Sequence, residues 1–62
     1  MALKLYDTVI LKDNVETMSK GAKGTIVEIW EPNHLFEVEF LDENGQFLAL
    51  LTLTETQIEA AE

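Results

Sequence analysis

Between Lys20 and Trp30 the chain reads Lys-Gly-Ala-Lys-Gly-Thr-Ile-Val-Glu-Ile-Trp, a two-glycine segment followed at once by a β-branched, alternating run. Glycine reaches backbone angles that other residues adopt only at a cost, so Gly21 and Gly24 ahead of such a run mark a sharp loop feeding a sheet. Residues 25–30 are therefore expected as a strand, and its neighbours in sequence carry the same pattern. Residues 6–11 form a first strand through the β-branched Thr8, Val9 and Ile10, and a long polar loop over 12–23 follows. Leu35–Leu41 alternates with period two through Phe36, Val38 and Phe40, after a four-residue turn at 31–34. Asn44-Gly45 sits in the next turn, at 42–45, and signals a hairpin that leads into a fourth strand at Phe47–Leu53.

Beyond it, Thr54-Glu55-Thr56-Gln57 has the form of a capping box, with Thr54 as N-cap and Gln57 reaching back. Leu53 and Ile58 are placed as its hydrophobic staple. A short helical turn is expected over residues 54–61, too short to stand without packing on the sheet.

At 62 residues the chain is expected to be a single domain, 1–62, without repeats or linkers. A domain of this size buries only about 60% of the surface its unfolded chain exposes, so its stability is small. No cysteine is present to supply a disulfide or a thiolate zinc ligand. Met1 to Leu11 contains Lys4 and Asp7 and no long apolar run, which predicts neither a signal peptide nor a membrane span, and hence a cytoplasmic protein. Twelve acidic residues stand against four lysines and no arginine, a formal net charge of -8. Nucleic-acid binding draws its affinity from cations that displace phosphate counterions, and anionic membranes attract the same residues. Both partner classes are disfavoured; such acidity serves either simply as a soluble surface or as the complement of a basic protein.

A long loop after the first strand, a glycine-rich approach to the second, two tight hairpins and a short closing turn describe a mainly all-β fold. It resembles an SH3-like barrel of four to five strands. The segment from Gly21 to Ile29 is similar to the glycine-containing loop and strand of KOW-type ribosomal and transcription-factor modules. A closer likeness is to a family of small bacterial proteins, domain of unknown function 4926. It is carried by Tyr6-Asp-Thr-Val9, Lys20-Gly-Ala-Lys-Gly24-Thr-Ile-Val-Glu, Phe36-Glu-Val-Glu-Phe40 and Leu48-Ala-Leu50, over nearly the whole chain. These motifs are structural, so the resemblance implies a fold and transfers no functional residue. The KOW likeness would imply RNA or ribosome contact, for which this loop offers Lys20 and Lys23.

Pairing Trp30 with Leu35 across the 31–34 turn aligns Ile29 with Phe36, Val27 with Val38 and Thr25 with Phe40 on the core side. The opposite side then holds Glu28 against Glu37, Ile26 against Glu39, and Trp30 beside Leu35. Like charges directly opposed across a strand pair are destabilising by up to about 1 kcal/mol, so an isolated fold gains nothing from them. A four-residue loop at 42–45 turns Phe47, Ala49, Leu51 and Leu53 inward and Leu48, Leu50 and Thr52 outward. A glycine bulge would exchange the two sets.

Two solutions exist for the apolar face left over: cover by the closing turn or the first five residues, or cover by a partner, a second copy included. The partner-binding residues expected are Ile26, Glu28, Trp30, Leu35, Glu37, Glu39, Leu48 and Leu50. No catalytic, metal or cofactor residues are expected. His34 has only Glu31 as a nearby carboxylate, and outward strand glutamates lack the pocket that pushes paired pKa values apart. The expected function is a non-enzymatic protein-interaction module, of antitoxin or immunity type, that binds a basic protein and self-associates as a homodimer. The alternative is a KOW-like RNA- or ribosome-associated module.

Overall fold

The computed structural model describes residues 3–61, so Met1 and Ala2 of the expected covering arm lie outside the described residues. It contains five strands, β1 (Thr8–Leu11), β2 (Lys23–Trp30), β3 (Leu35–Leu41), β4 (Phe47–Leu53) and β5 (Ile58–Ala60), with no helix among the described residues. All neighbours are antiparallel, and the strands form one sheet in the order β4-β3-β2-β1-β5. This is the expected all-β class, a small barrel-like domain. Its core is Val9, Leu11, Ile26, Phe36, Val38, Phe40, Leu51, Leu53 and Ile58, with Leu3, Val15, Met18, Ala22, Ile29 and Ala49 packed around it.

The closing segment differs from expectation. Residues 55–57 make a turn and the chain then continues as β5, pairing Ile58 with Leu11 and Ala60 with Val9. Half of the capping box is present: the Thr54 backbone N–H donates to Gln57 Oε1 at 2.8 Å. The other half is replaced, because the Gln57 N–H donates to the Thr54 carbonyl oxygen at 3.0 Å instead of its hydroxyl. A capping motif closes a reverse turn here because the unpaired edge of β1 offers ladder hydrogen bonds that a single helical turn cannot match. Ile58 accordingly enters the core as a strand residue and leaves the opposite face of the sheet uncovered.

Two irregularities in the ladder decide which side chains face where. Between β2 and β3 the expected pairs Trp30–Leu35, Ile29–Phe36 and Glu28–Glu37 form, after which the register shifts. Ile26 then pairs with Val38, Thr25 with Glu39 and Gly24 with Phe40. Val27 is the extra residue of a bulge, and a one-residue offset sends every side chain beyond it to the other face. Ile26 is therefore fully buried, and its expected place on the outward face beside Glu39 is corrected; Thr25 holds that place.

Between β3 and β4 there are two offsets. Asp42 meets Gln46 across the turn, Leu41 pairs with Phe47, and Leu48 is then skipped so that Phe40 pairs with Ala49. The two offsets cancel in parity. Ala49, Leu51 and Leu53 point inward and Leu48, Leu50 and Thr52 outward, as expected, but Phe47 lies between the offsets and is exposed rather than inward. The turn itself is fixed by Asp42, whose Oδ1 accepts from the N–H groups of Asn44 and Gln46, both at 2.8 Å. Gly45 supplies the positive φ of 83° that completes it.

Candidate interaction surface

The outward side chains of β2, β3 and β4 form one continuous face. Its rows follow from the register: Trp30 beside Leu35; Glu28, Glu37 and Thr52; Thr25, Glu39 and Leu50; then Leu41 beside Phe47. Apolar groups hold the two ends and the β4 side, and carboxylates run between them. Trp30, Leu41, Phe47, Leu48 and Leu50 are each about half exposed or more, from 46% at Leu41 to 61% at Phe47. Single exposed apolar residues need no explanation, but five gathered on one wall of a 62-residue domain form a patch of the kind that partners use.

At the centre of the face, Glu37 is held in place. Its Oε2 accepts from the Trp30 indole N–H at 3.0 Å and from the Thr52 hydroxyl at 2.9 Å. Thr52 is the direct cross-strand neighbour of Glu37, while Trp30 reaches it diagonally, its own partner being Leu35. Side chains from three strands thus meet at one carboxylate. This arrangement also explains how the chain tolerates Glu28 opposite Glu37: the Glu37 carboxylate is drawn towards two neutral donors. Among the described residues the ion pairs are Lys4–Asp7 and His34–Glu31, so no protein cation answers Glu28, Glu37 or Glu39.

Seven of the eight residues expected to bind a partner come together here: Glu28, Trp30, Leu35, Glu37, Glu39, Leu48 and Leu50. Ile26 does not, for the reason given by the bulge. The face also includes Thr52, Phe47 and Leu41, none of them among the expected partner-binding residues, although Thr52 is expected on the outward side. Thr52 had a usable signal, as the only polar residue of β4 and the partner of Glu37. Leu41 had one too, since it continues the outward alternation of Leu35, Glu37 and Glu39 along β3, whereas Phe47 had none without knowledge of both offsets. Beside Leu41 lies a shallow open depression of about 110 Å³, lined by Thr8, Lys23, Thr25 and Glu39 as well.

His34 stands apart from this face in the 31–34 turn. Its Nδ1 lies 3.2 Å from Glu31 Oε1, with both side chains largely exposed. The described residues contain no group of three or more His, Cys, Asp and Glu side chains placed to hold a metal ion. No described helix is long and apolar enough to cross a membrane.

Fold and surface together define a small β-sheet module whose exposed chemistry is gathered on one wall. The chain belongs to the family described as Domain of unknown function (DUF4926), whose model matches residues 5–60. No curated protein and no solved structure matches it.

Proposed function

We propose that this protein is a non-enzymatic module that holds a basic protein against the outer face of β2, β3 and β4. The observation that carries the reading is the set of three carboxylates Glu28, Glu37 and Glu39, none in an ion pair among the described residues, flanked by Trp30, Leu35, Leu41, Phe47 and Leu50. An apolar patch with carboxylates through its middle is complementary to lysine or arginine side chains set among apolar ones. Trp30 adds a ring face for a guanidinium, and Glu37 is already oriented for it. A net charge of -8 would steer such a partner towards the surface and speed the encounter. An antitoxin or immunity protein that masks a basic toxin has these requirements, and the finer form of the proposal is that role.

The competing reading is an RNA- or ribosome-associated module. A gel-shift series with structured and single-stranded RNA at low salt separates the two. No shift is expected, because Lys20 and Lys23 are two of only four basic residues on a chain of net charge -8, too few to displace phosphate counterions. A shift that weakens steeply as salt rises, and that Lys20→Glu/Lys23→Glu removes, would replace the protein-binding reading with the nucleic-acid one.

A further inference from the structure

We infer that a second copy of this chain adds to the open edge of β4, joining two sheets by antiparallel strand pairing about a two-fold axis. The inference goes beyond the proposed partner on the outer face and does not rest on it. The sheet has two edges, β4 and β5. Strand β5 is three residues long and carries Glu59, the kind of short, charged edge that natural proteins use to discourage pairing. Strand β4 is seven residues long, Phe-Leu-Ala-Leu-Leu-Thr-Leu, without a charge, a lysine or a proline. Its other side pairs with β3, and no backbone group of residues 47–53 bonds to any described turn or loop. A regular run from Ala49 to Leu53 beyond the Leu48 offset is thus free to accept a strand, and a row of backbone N–H and C=O groups specifies a strand as its occupant.

An uncharged apolar edge is matched by a strand that brings no carboxylates to it, which β4 of a second copy does, and charge fixes the way that copy docks. Two chains of -8 can meet only through a segment that brings no like charges together, and β4 is uncharged. The nearest acidic row, Glu37 and Glu39 on β3, would lie three strand spacings from its copy, about 14 Å. That exceeds the Debye length of about 8 Å at physiological salt, so the repulsion is largely screened. Face-to-face stacking of the outer surfaces would instead trap Glu28, Glu37 and Glu39 of both copies between the sheets, unpaired and desolvated. Edge pairing leaves both outer faces open on one continuous sheet. With the axis at Leu51, Leu50 meets Thr52 of its copy, an apolar and neutral contact.

Sedimentation equilibrium of the full chain over low to high micromolar concentration tests this. The expected result is a reversible rise to twice the chain mass, with β4 amides exchanging more slowly as the dimer fills. Leu50→Lys/Thr52→Lys is expected to remain folded and monomeric throughout. In the monomer each lysine lies opposite a glutamate, Glu39 or Glu37, whereas across the seam lysine meets lysine. Leu50→Lys alone, which leaves the Thr52 hydrogen bond intact, is the second variant should the double one unfold, and is expected to weaken the dimer at least tenfold. A wild-type chain that stays monomeric at high micromolar concentration overturns the inference. So does a folded lysine variant that dimerises as the wild type does.

Discussion

Ile26→Glu is expected to leave the chain unfolded at room temperature, while Val27→Glu, one residue along, keeps the fold. Both positions are β-branched and apolar in an alternating strand, so sequence pattern alone ranks them the other way round. The bulge at Val27 reverses that ranking. Ile26 has no exposed surface, lies opposite Val38, and sits among the nine core side chains. A carboxylate there would be buried with no donor and no cation, at a cost of more than about 4 kcal/mol. Small domains of this size hold roughly 5 kcal/mol in all. Val27 is half-buried and unpaired at the bulge, where a polar side chain turns to water at a cost of about 1 kcal/mol. Circular dichroism melts of the two variants check the register directly: an unfolded Val27→Glu beside a folded Ile26→Glu would mean that the bulge is absent.

Gly24→Ala is expected to cost about 2–3 kcal/mol and to lower the melting temperature by roughly 10–20 °C. In the middle of a strand, replacing glycine by alanine normally gains a few tenths of a kcal/mol or more, since glycine surrenders the most backbone freedom on folding. Gly24 is the exception because of what lies over it. A Cβ at this position would come within 2.6 Å of Val38 Cγ1 and 2.9 Å of the Phe40 ring, which packs across the bare backbone opposite. Val38 and Phe40 are both fully buried, so neither has room to give. The contrast with Gly21 is instructive: no atom crowds that position, and its requirement is the positive φ of 96° that turns the loop. Thermal melts of Gly24→Ala decide the point. A variant as stable as the parent would show that the Phe40 ring does not lie against this residue.

Much of the fold is legible before any coordinates are seen, because alternation and turn chemistry are local. Leu35–Leu41 and Phe47–Leu53 fall where the period-two pattern puts them, and the hairpin signalled by Asn44-Gly45 forms, with a positive φ at Gly45. What the sequence hid is the count of residues between paired positions. A bulge has no composition of its own: Ile26 and Val27 are interchangeable to a pattern, and only packing against Phe40 makes Gly24 rather than Thr25 the inward residue. Gly24 itself was the available clue, since Gly21 alone suffices for the loop and a second glycine inside a strand signals a close approach. Likewise, Thr54 and Gln57 announce a reciprocal turn, but whether the chain then coils or pairs depends on the open edge of β1, which lies far away in sequence.

The candidate surface was legible to the same degree. Glu28 opposite Glu37 follows from the 31–34 turn alone, and the outward placing of Leu48, Leu50 and Thr52 survives because the two β4 offsets cancel. The link between Trp30, Glu37 and Thr52 was not legible, since it joins three strands at once and needs their registers together.

The account stands or falls on whether the outer face of β2, β3 and β4 binds a basic protein. The direct measurement is parallel capture from native lysate with the full chain and with Glu28→Gln/Glu39→Gln, which removes two charges from the face and leaves the Trp30–Glu37–Thr52 contacts alone. The account predicts that the parent chain retains a discrete basic protein, that the variant recovers at least tenfold less of it, and that added salt weakens the retention. Recovery of the same protein in equal amount by both chains, or of acidic proteins or nucleic acid alone, would contradict it.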